Sequence, residues 1–445
     1  MKMIKPNFHK ANSVLSGLLL AAGMVSSAFA ETTLLENGVI HTVTKGTLTN
    51  GAVLIDGGNI KDILSSSATA GVVADHKLDL HGSHLYPGMM ALDSALGLVE
   101  IQEVRATRDT TEAGAYTPDV KAWIAVNPDS ELLPTARAGG ILYFEPTPQG
   151  GVVAGLSGVL RMDGWTTEQM TVKKPATLQI YWPSMELDIT PKAKVKDASK
   201  SKSLEDQDKD RRKQLKELDE FFLEARAYDQ LKKSSGATKQ PFHPIPAWEA
   251  MAPAIHGEIP IVVYANEARQ ITAALAWAQT NHYQIILAGA REGWRVADKI
   301  AAAKVPVIFE GTMSIPTRDT DGYDAQFKAA EVYHKAGVTL ALSEGFGDLG
   351  ASLARNLPHT AAQCIAYGLP EDEALKAITL RPAELMGLGK TLGSIEVGKE
   401  ATLFVCDGDL FDVRSKVLHA WIAGKEVSLE SRHTRLYDRY RNRPK

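Results

Sequence analysis

Ile259-Pro260-Ile261-Val262-Val263-Tyr264-Ala265 is a run of apolar and β-branched residues. It is followed by Ile271, Ala274, Leu275 and Ala278 at helical spacing, and then by Gln284-Ile285-Ile286-Leu287-Ala288-Gly289-Ala290. Continuous apolar runs of this length fit strands buried on both faces, as in a parallel sheet covered by helices. The alternation goes on with a helix expected near Glu292 to Ala303, a strand at Val305 to Gly311, a helical stretch through Tyr333 and a strand at Val338 to Leu342. Repeated β-α-β units imply a parallel sheet. Over about 300 residues a closed (β/α)8 TIM-like barrel is the leading architecture, with a doubly wound open sheet as runner-up.

Outward from this core the pattern changes. From Thr32 to Leu64 the chain reads as short strands with turn punctuation, such as Val53-Leu54-Ile55 before Asp56-Gly57-Gly58. Similar runs return at Ala401 to Val405 and Val417 to Ile422, with Gly424-Lys425 as a turn. The simplest organisation is one small β domain built from 31–84 with 390–430, a barrel over 85–389 and a basic tail at 431–445. Within the barrel segment, about 185–250 reads as a charged insertion, because residues 192–213 mix both signs densely and Leu215, Leu218, Phe222, Ala225, Tyr228 and Leu231 then recur at spacings of three and four. That is an amphipathic helix, read first as a surface excursion and second as a lid over the barrel mouth.

Residues 1–30 carry Lys2, Lys5 and Lys10, an apolar run from Val14 to Val25 and Ala28-Phe29-Ala30, the three-part pattern of a secretory signal cleaved after Ala30. The expected location is periplasmic or secreted, with no membrane attachment after cleavage. Loss of those lysines takes the formal charge from −4 to −7, so the mature chain offers no general attraction for nucleic acid. Cys364 and Cys406 are too few for a disulfide scaffold or a zinc knuckle, and no bridge between them is predicted.

Four stretches, in order, carry a family resemblance: Asn50-Gly51-Ala52-Val53-Leu54-Ile55; Leu85-Tyr86-Pro87-Gly88-Met89-Met90; Ala374-Leu375-Lys376-Ala377-Ile378-Thr379 with Pro382-Ala383; and Leu392-Gly393-Ser394-Ile395-Glu396-Val397-Gly398-Lys399. Together they resemble the amidohydrolase superfamily, in the branch of imidazolonepropionases and prolidase-like hydrolases, over nearly the whole mature chain. The resemblance implies a barrel hydrolase of C–N bonds other than ordinary peptides, dependent on zinc or another divalent metal, with a small β-sandwich from both termini.

The ligands that the resemblance leads one to expect are missing. The family's first barrel strand ends in His-x-His, because alternate residues on a strand face the same way and two imidazoles can grip one metal. Here Asp93 and Ala95 stand at those positions, Tyr264 replaces a later histidine, Ala288-Gly289-Ala290 offers none, and Glu344 approximates an expected aspartate. Of the twelve histidines, His243, His256, His282, His334 and His359 fall in the barrel segment, but none closes a strand. No metal ligand set and no cofactor are therefore predicted.

Asp93, Glu145, Tyr264, Glu310 and Glu344 are expected to converge at the C-terminal mouth of the barrel, where such folds keep their sites. Asp93, Glu344 and Tyr264 are the candidate catalytic groups, and Ala95, Glu145, Glu310 and Arg355 the candidate pocket residues. Gly150-Gly151 and Gly155 suggest a loop pressed close to the mouth, without phosphate-loop spacing. Two readings stay open. One is a descendant of metal hydrolases that has lost metal catalysis and keeps a pocket for a small molecule, or assists a metal-bearing relative as a homo-oligomer or hetero-assembly. The other is an active hydrolase of small amides, cyclic amides or dipeptides, working through a carboxylate metal site or by metal-free acid/base chemistry.

Overall fold

The computed structural model describes residues 31–191, 194, 201–238 and 242–444. The expected signal at 1–30 and parts of the charged insertion lie outside the described residues.

The apolar runs become the strands Ile261–Ala265, Ile285–Gly289, Val307–Phe309 and Leu340–Leu342, which continue in parallel from Leu178–Tyr181. A second sheet pairs Met89–Ser94 in parallel with Ile141–Pro146. The two sheets are joined by one stretch. Val153–Leu156 runs antiparallel to Leu178–Tyr181, and Val159–Arg161, just beyond Ser157-Gly158, runs antiparallel to Ile141–Pro146. The expected barrel is thus not parallel throughout. Its opposite edges meet where the Ala95 N–H donates to the Gly345 carbonyl (2.9 Å) and the Ser343 hydroxyl to the Leu92 carbonyl (2.8 Å).

Every residue of Met89–Ser94, Ile141–Pro146 and Ile285–Gly289 is buried, as strands covered on both faces must be. Helices Ala268–Asn281, Ala297–Ala303, Ala325–Lys335 and Leu357–Ala366 cover the outside. In the first of these, Ile271, Ala274, Leu275 and Ala278 are all buried, and Glu267 with Gln270 forms a capping box at its start.

Both chain ends build one eight-stranded sheet, in which Leu403–Cys406 pairs with His84–Pro87 and Val417–Ile422 follows on its other side. Leu35, Val53, Ile55, Leu85, Leu403 and Trp421 fill its own core. Gly393, from the stretch that carries the resemblance, has φ +87, and an added Cβ there would lie 2.7 Å from Leu380 Cα and 2.8 Å from the Thr379 carbonyl oxygen. Neither backbone atom can swing aside. Gly393→Ala should therefore cost more than about 1 kcal/mol of unfolding free energy, through left-handed strain together with the collision. Chemical denaturation would measure it, and an unchanged midpoint would refute the steric account.

The inserted helix runs Leu204–Thr238. Near its start the Arg211 guanidinium donates to the Met185 carbonyl (3.1 Å), beyond the C-terminal end of strand Leu178–Tyr181, and further on Arg226 donates to Asn281 (2.7 Å), the last residue of helix Ala268–Asn281. It therefore lies along the outer wall from mouth towards base and does not roof the mouth. Gly150 and Gly151 do press against a neighbour, but that neighbour is the segment Thr111–Ala115, where side chains on these glycines would collide. The two cysteines are buried and unbridged. The tail forms a helix, Arg432–Tyr440, tied to the barrel by Arg435 and Glu131 (2.6 Å).

Candidate functional site

Five of the predicted residues meet at the C-terminal ends of the strands. Asp93, next to last in Met89–Ser94, has φ +49, a left-handed conformation that a non-glycine residue adopts only under constraint from its surroundings. It is 2% exposed. The Thr147 hydroxyl bonds its carboxyl, while Oδ2 has no partner. Glu145, wholly buried, accepts hydrogen bonds from Ser157 (2.5 Å), Thr177 (3.0 Å) and the Asp93 backbone N–H (3.2 Å). The Tyr264 hydroxyl donates to Glu310 (2.8 Å), and the Thr360 hydroxyl to Glu344 (2.9 Å).

Burial governs the charge of this group. It pushes Asp93 well above the usual carboxylate range, with the charges of Glu310 and Glu145 adding to the effect. Burial raises Glu145 against the pull of its three donors, raises Glu344, and lifts Glu310 to about 7, with the charge of Glu344 adding and Tyr264 and Arg291 opposing. A site of this kind holds protons at neutral pH, because like charges in a poorly solvated space cannot all ionise.

Two predicted pocket residues stand apart. The Ala95 methyl belongs to a small apolar cluster with Val99 and Ala351. Arg355 is exposed, bonds His433 of the tail helix (2.9 Å) and sits beside Gly139, ahead of strand Ile141–Pro146 and so at the base of the barrel.

Other groups enter the mouth without having been singled out. The rings of Tyr181 and Phe346 join the predicted Tyr264 in its wall, with Phe346 stacked on Tyr264 at 4.4 Å between centroids and Tyr181 at 5.4 Å from Tyr264. Arg291 follows strand Ile285–Gly289 directly after the Ala288-Gly289-Ala290 run, which carries no imidazole. Its signal in the sequence is a cation just past a strand end. No sequence signal marks Ser157 or Thr177, which act through strand pairing.

The zinc that the resemblance implies does not fit these residues. Zinc sites of such enzymes take imidazoles with carboxylates. Here the oxygens of Glu145 are taken by hydroxyl and backbone donors, the Tyr264 hydroxyl is given to Glu310, and Ala95 presents a methyl to other apolar groups. Among the described residues no group of three or more His, Cys, Asp or Glu side chains is placed to hold a metal ion.

An α/β ring with its strand ends gathered into a mouth, carried beside a sheet woven from both termini, defines an amidohydrolase-type fold. The solved structures agree. An amidohydrolase from Thermotoga maritima MSB8 superposes with a TM-score of 0.76 at 24% identity, over 89% of this chain and 99% of that one. A prolidase solved with N-methylphosphonate-L-proline gives 0.53 at 14% identity, over 89% and 99%. The sequence pattern of the amidohydrolase family matches residues 321–427. That match, together with the fold, makes the chain similar to the amidohydrolase superfamily. The curated Amidohydrolase tasK of Hapsidospora irregularis is 39% identical over 64 residues, which are 14% of this chain and only 6% of that relative's length.

Proposed function

We propose that this chain is a metal-free member of its superfamily, a pseudoenzyme that keeps the mouth of the barrel as a pocket for a small molecule. The observation that carries the reading is the hydrogen bonding of Glu145: both oxygens of this buried carboxylate are turned to protein donors, Oε1 to Ser157 and Thr177 and Oε2 to the Asp93 backbone N–H, with no imidazole beside them among the described residues. Loss of the metal removes the Lewis acid and the activated water on which such hydrolases depend. Export by the N-terminal signal, and assembly with itself or with a metal-bearing relative, belong to the same proposal.

A second reading has its own support. Glu310 is lifted to about 7 and holds a hydrogen bond to Tyr264, so it can both take and give a proton near neutral pH. Metal-free acid/base hydrolysis is then the alternative, with Glu310 rather than Glu344 as the better-placed group.

Elemental mass spectrometry of the purified mature protein, with a panel of acyl-amino acids, cyclic amides and dipeptides, separates the readings. The expected result is substoichiometric metal and no turnover. Stoichiometric metal with turnover abolished by Asp93→Ala would reject the pseudoenzyme reading, and metal-free turnover abolished by Glu310→Gln would establish the second.

A further inference from the structure

Buried carboxylate oxygens seldom lack a donor, so Asp93 Oδ2 calls for an explanation. The neighbouring hydroxyls supply none: Tyr264 gives its hydrogen to Glu310, Tyr181 to the Pro148 carbonyl (3.2 Å), and Ser157 to Glu145. Glu310 and Glu145 press their negative charge on the same carboxyl. Arg291 is a cation whose field reaches Glu310. The acceptor is thus unfilled, in a negative field, behind three aromatic rings whose faces favour a cation. Tyr181, Tyr264, Glu310 and Phe346 are each partly open to solvent, whereas Asp93 is buried behind them. Phe346 stands between Gly345 (φ +155) and Gly347 (φ +74), positions where the backbone can turn the ring aside.

We propose that the mouth receives a small ligand bearing a protonated amine, whose N–H groups reach Asp93 Oδ2 and the Glu310 carboxylate while its carbon body lies against Tyr181, Tyr264 and Phe346. The proposal rests on the metal-free reading of this site. An ammonium group can donate to the unfilled oxygen and favours ionisation of carboxyls that otherwise hold protons, which a neutral or anionic head cannot do.

Calorimetric titration of the mature chain near neutral pH tests this with benzylamine, phenethylamine and cyclohexylamine, each against its alcohol, and with benzoate. At least one amine should bind saturably with unit stoichiometry, about tenfold or more tighter than its alcohol, and benzoate should not bind. Asp93→Asn and Glu310→Gln should each remove most of that preference and leave alcohol binding unchanged, whereas Phe346→Ala should weaken amine and alcohol alike. If no amine outbinds its alcohol, or if the preference survives both carboxylate substitutions, the proposal is overturned. A zinc titration on the same protein keeps the failures apart. Tight binding of one zinc ion, lost in Asp93→Asn, would overturn the metal-free reading too, whereas indifference to amines without zinc binding overturns the ligand alone.

Discussion

Raising the pH from about 4 to about 8 should remove about 3 kcal/mol of unfolding free energy from the wild-type chain that Glu310→Gln does not lose. Glu310 binds its proton up to about 7 in the folded chain because burial penalises its ionised form, whereas in the unfolded chain it titrates near the ordinary glutamate value. Between those two values the folded state holds the extra proton, so stability falls as pH rises and the loss is complete above the folded value. Asp93, Glu145 and Glu344 are raised as well and tilt both proteins the same way. The difference between wild type and variant isolates Glu310. Removing its charge also relieves Asp93, which adds to the variant's advantage at high pH. Denaturant midpoints across this pH range measure the effect, and parallel curves would show that Glu310 titrates normally.

The periodicity of Ile261–Ala265 and Ile285–Gly289 made the parallel strands legible, because strands covered on both faces leave no choice but continuous apolar residues. Strand ends also located Asp93, Glu145, Tyr264, Glu310 and Glu344 in one mouth. What stayed hidden depended on the path of the chain between elements. Val153–Arg161 lies antiparallel between its neighbours, which short β-rich segments do not announce. The place of Arg355 after the last barrel strand points to the mouth, but the turn Ala354–Asn356 carries it to His433 of the tail helix. The spacing of Ala95 to Asp93 points there too, but the left-handed Asp93 breaks strand alternation, so the next residues no longer follow the two-residue period. The same local conformation that sets the Asp93 carboxyl in the mouth sends Ala95 to Val99 and Ala351.

Phe222→Ala should destabilise the protein by about 3 to 5 kcal/mol, whereas Leu231→Ala, nine residues further along the same helix, should change stability by less than about 0.5 kcal/mol. Spacing alone assigns both residues to one apolar stripe. The structure separates them: Phe222 is fully buried, edge-on to Trp277 at 5.1 Å and tilted against Tyr283 at 5.2 Å, while Leu231 is 58% exposed. The stripe fades because the helix stays with Ala268–Asn281 only as far as Asn281, which Arg226 reaches. Beyond it, Tyr228 and Lys232 turn to Glu249 of the neighbouring helix Pro246–Ile255. Trp277 is fixed from the other side by its indole N–H, which donates to Asp219 (2.9 Å), so the aromatic cluster cannot collapse into the space that Phe222→Ala leaves. A cavity retained at that depth costs the full transfer energy of the ring together with lost contacts. Equilibrium denaturation of the two variants measures the contrast. Equal small losses would mean that the inserted helix detaches from the wall without consequence, as a mobile lid would, and not as the fixed strut that this packing describes.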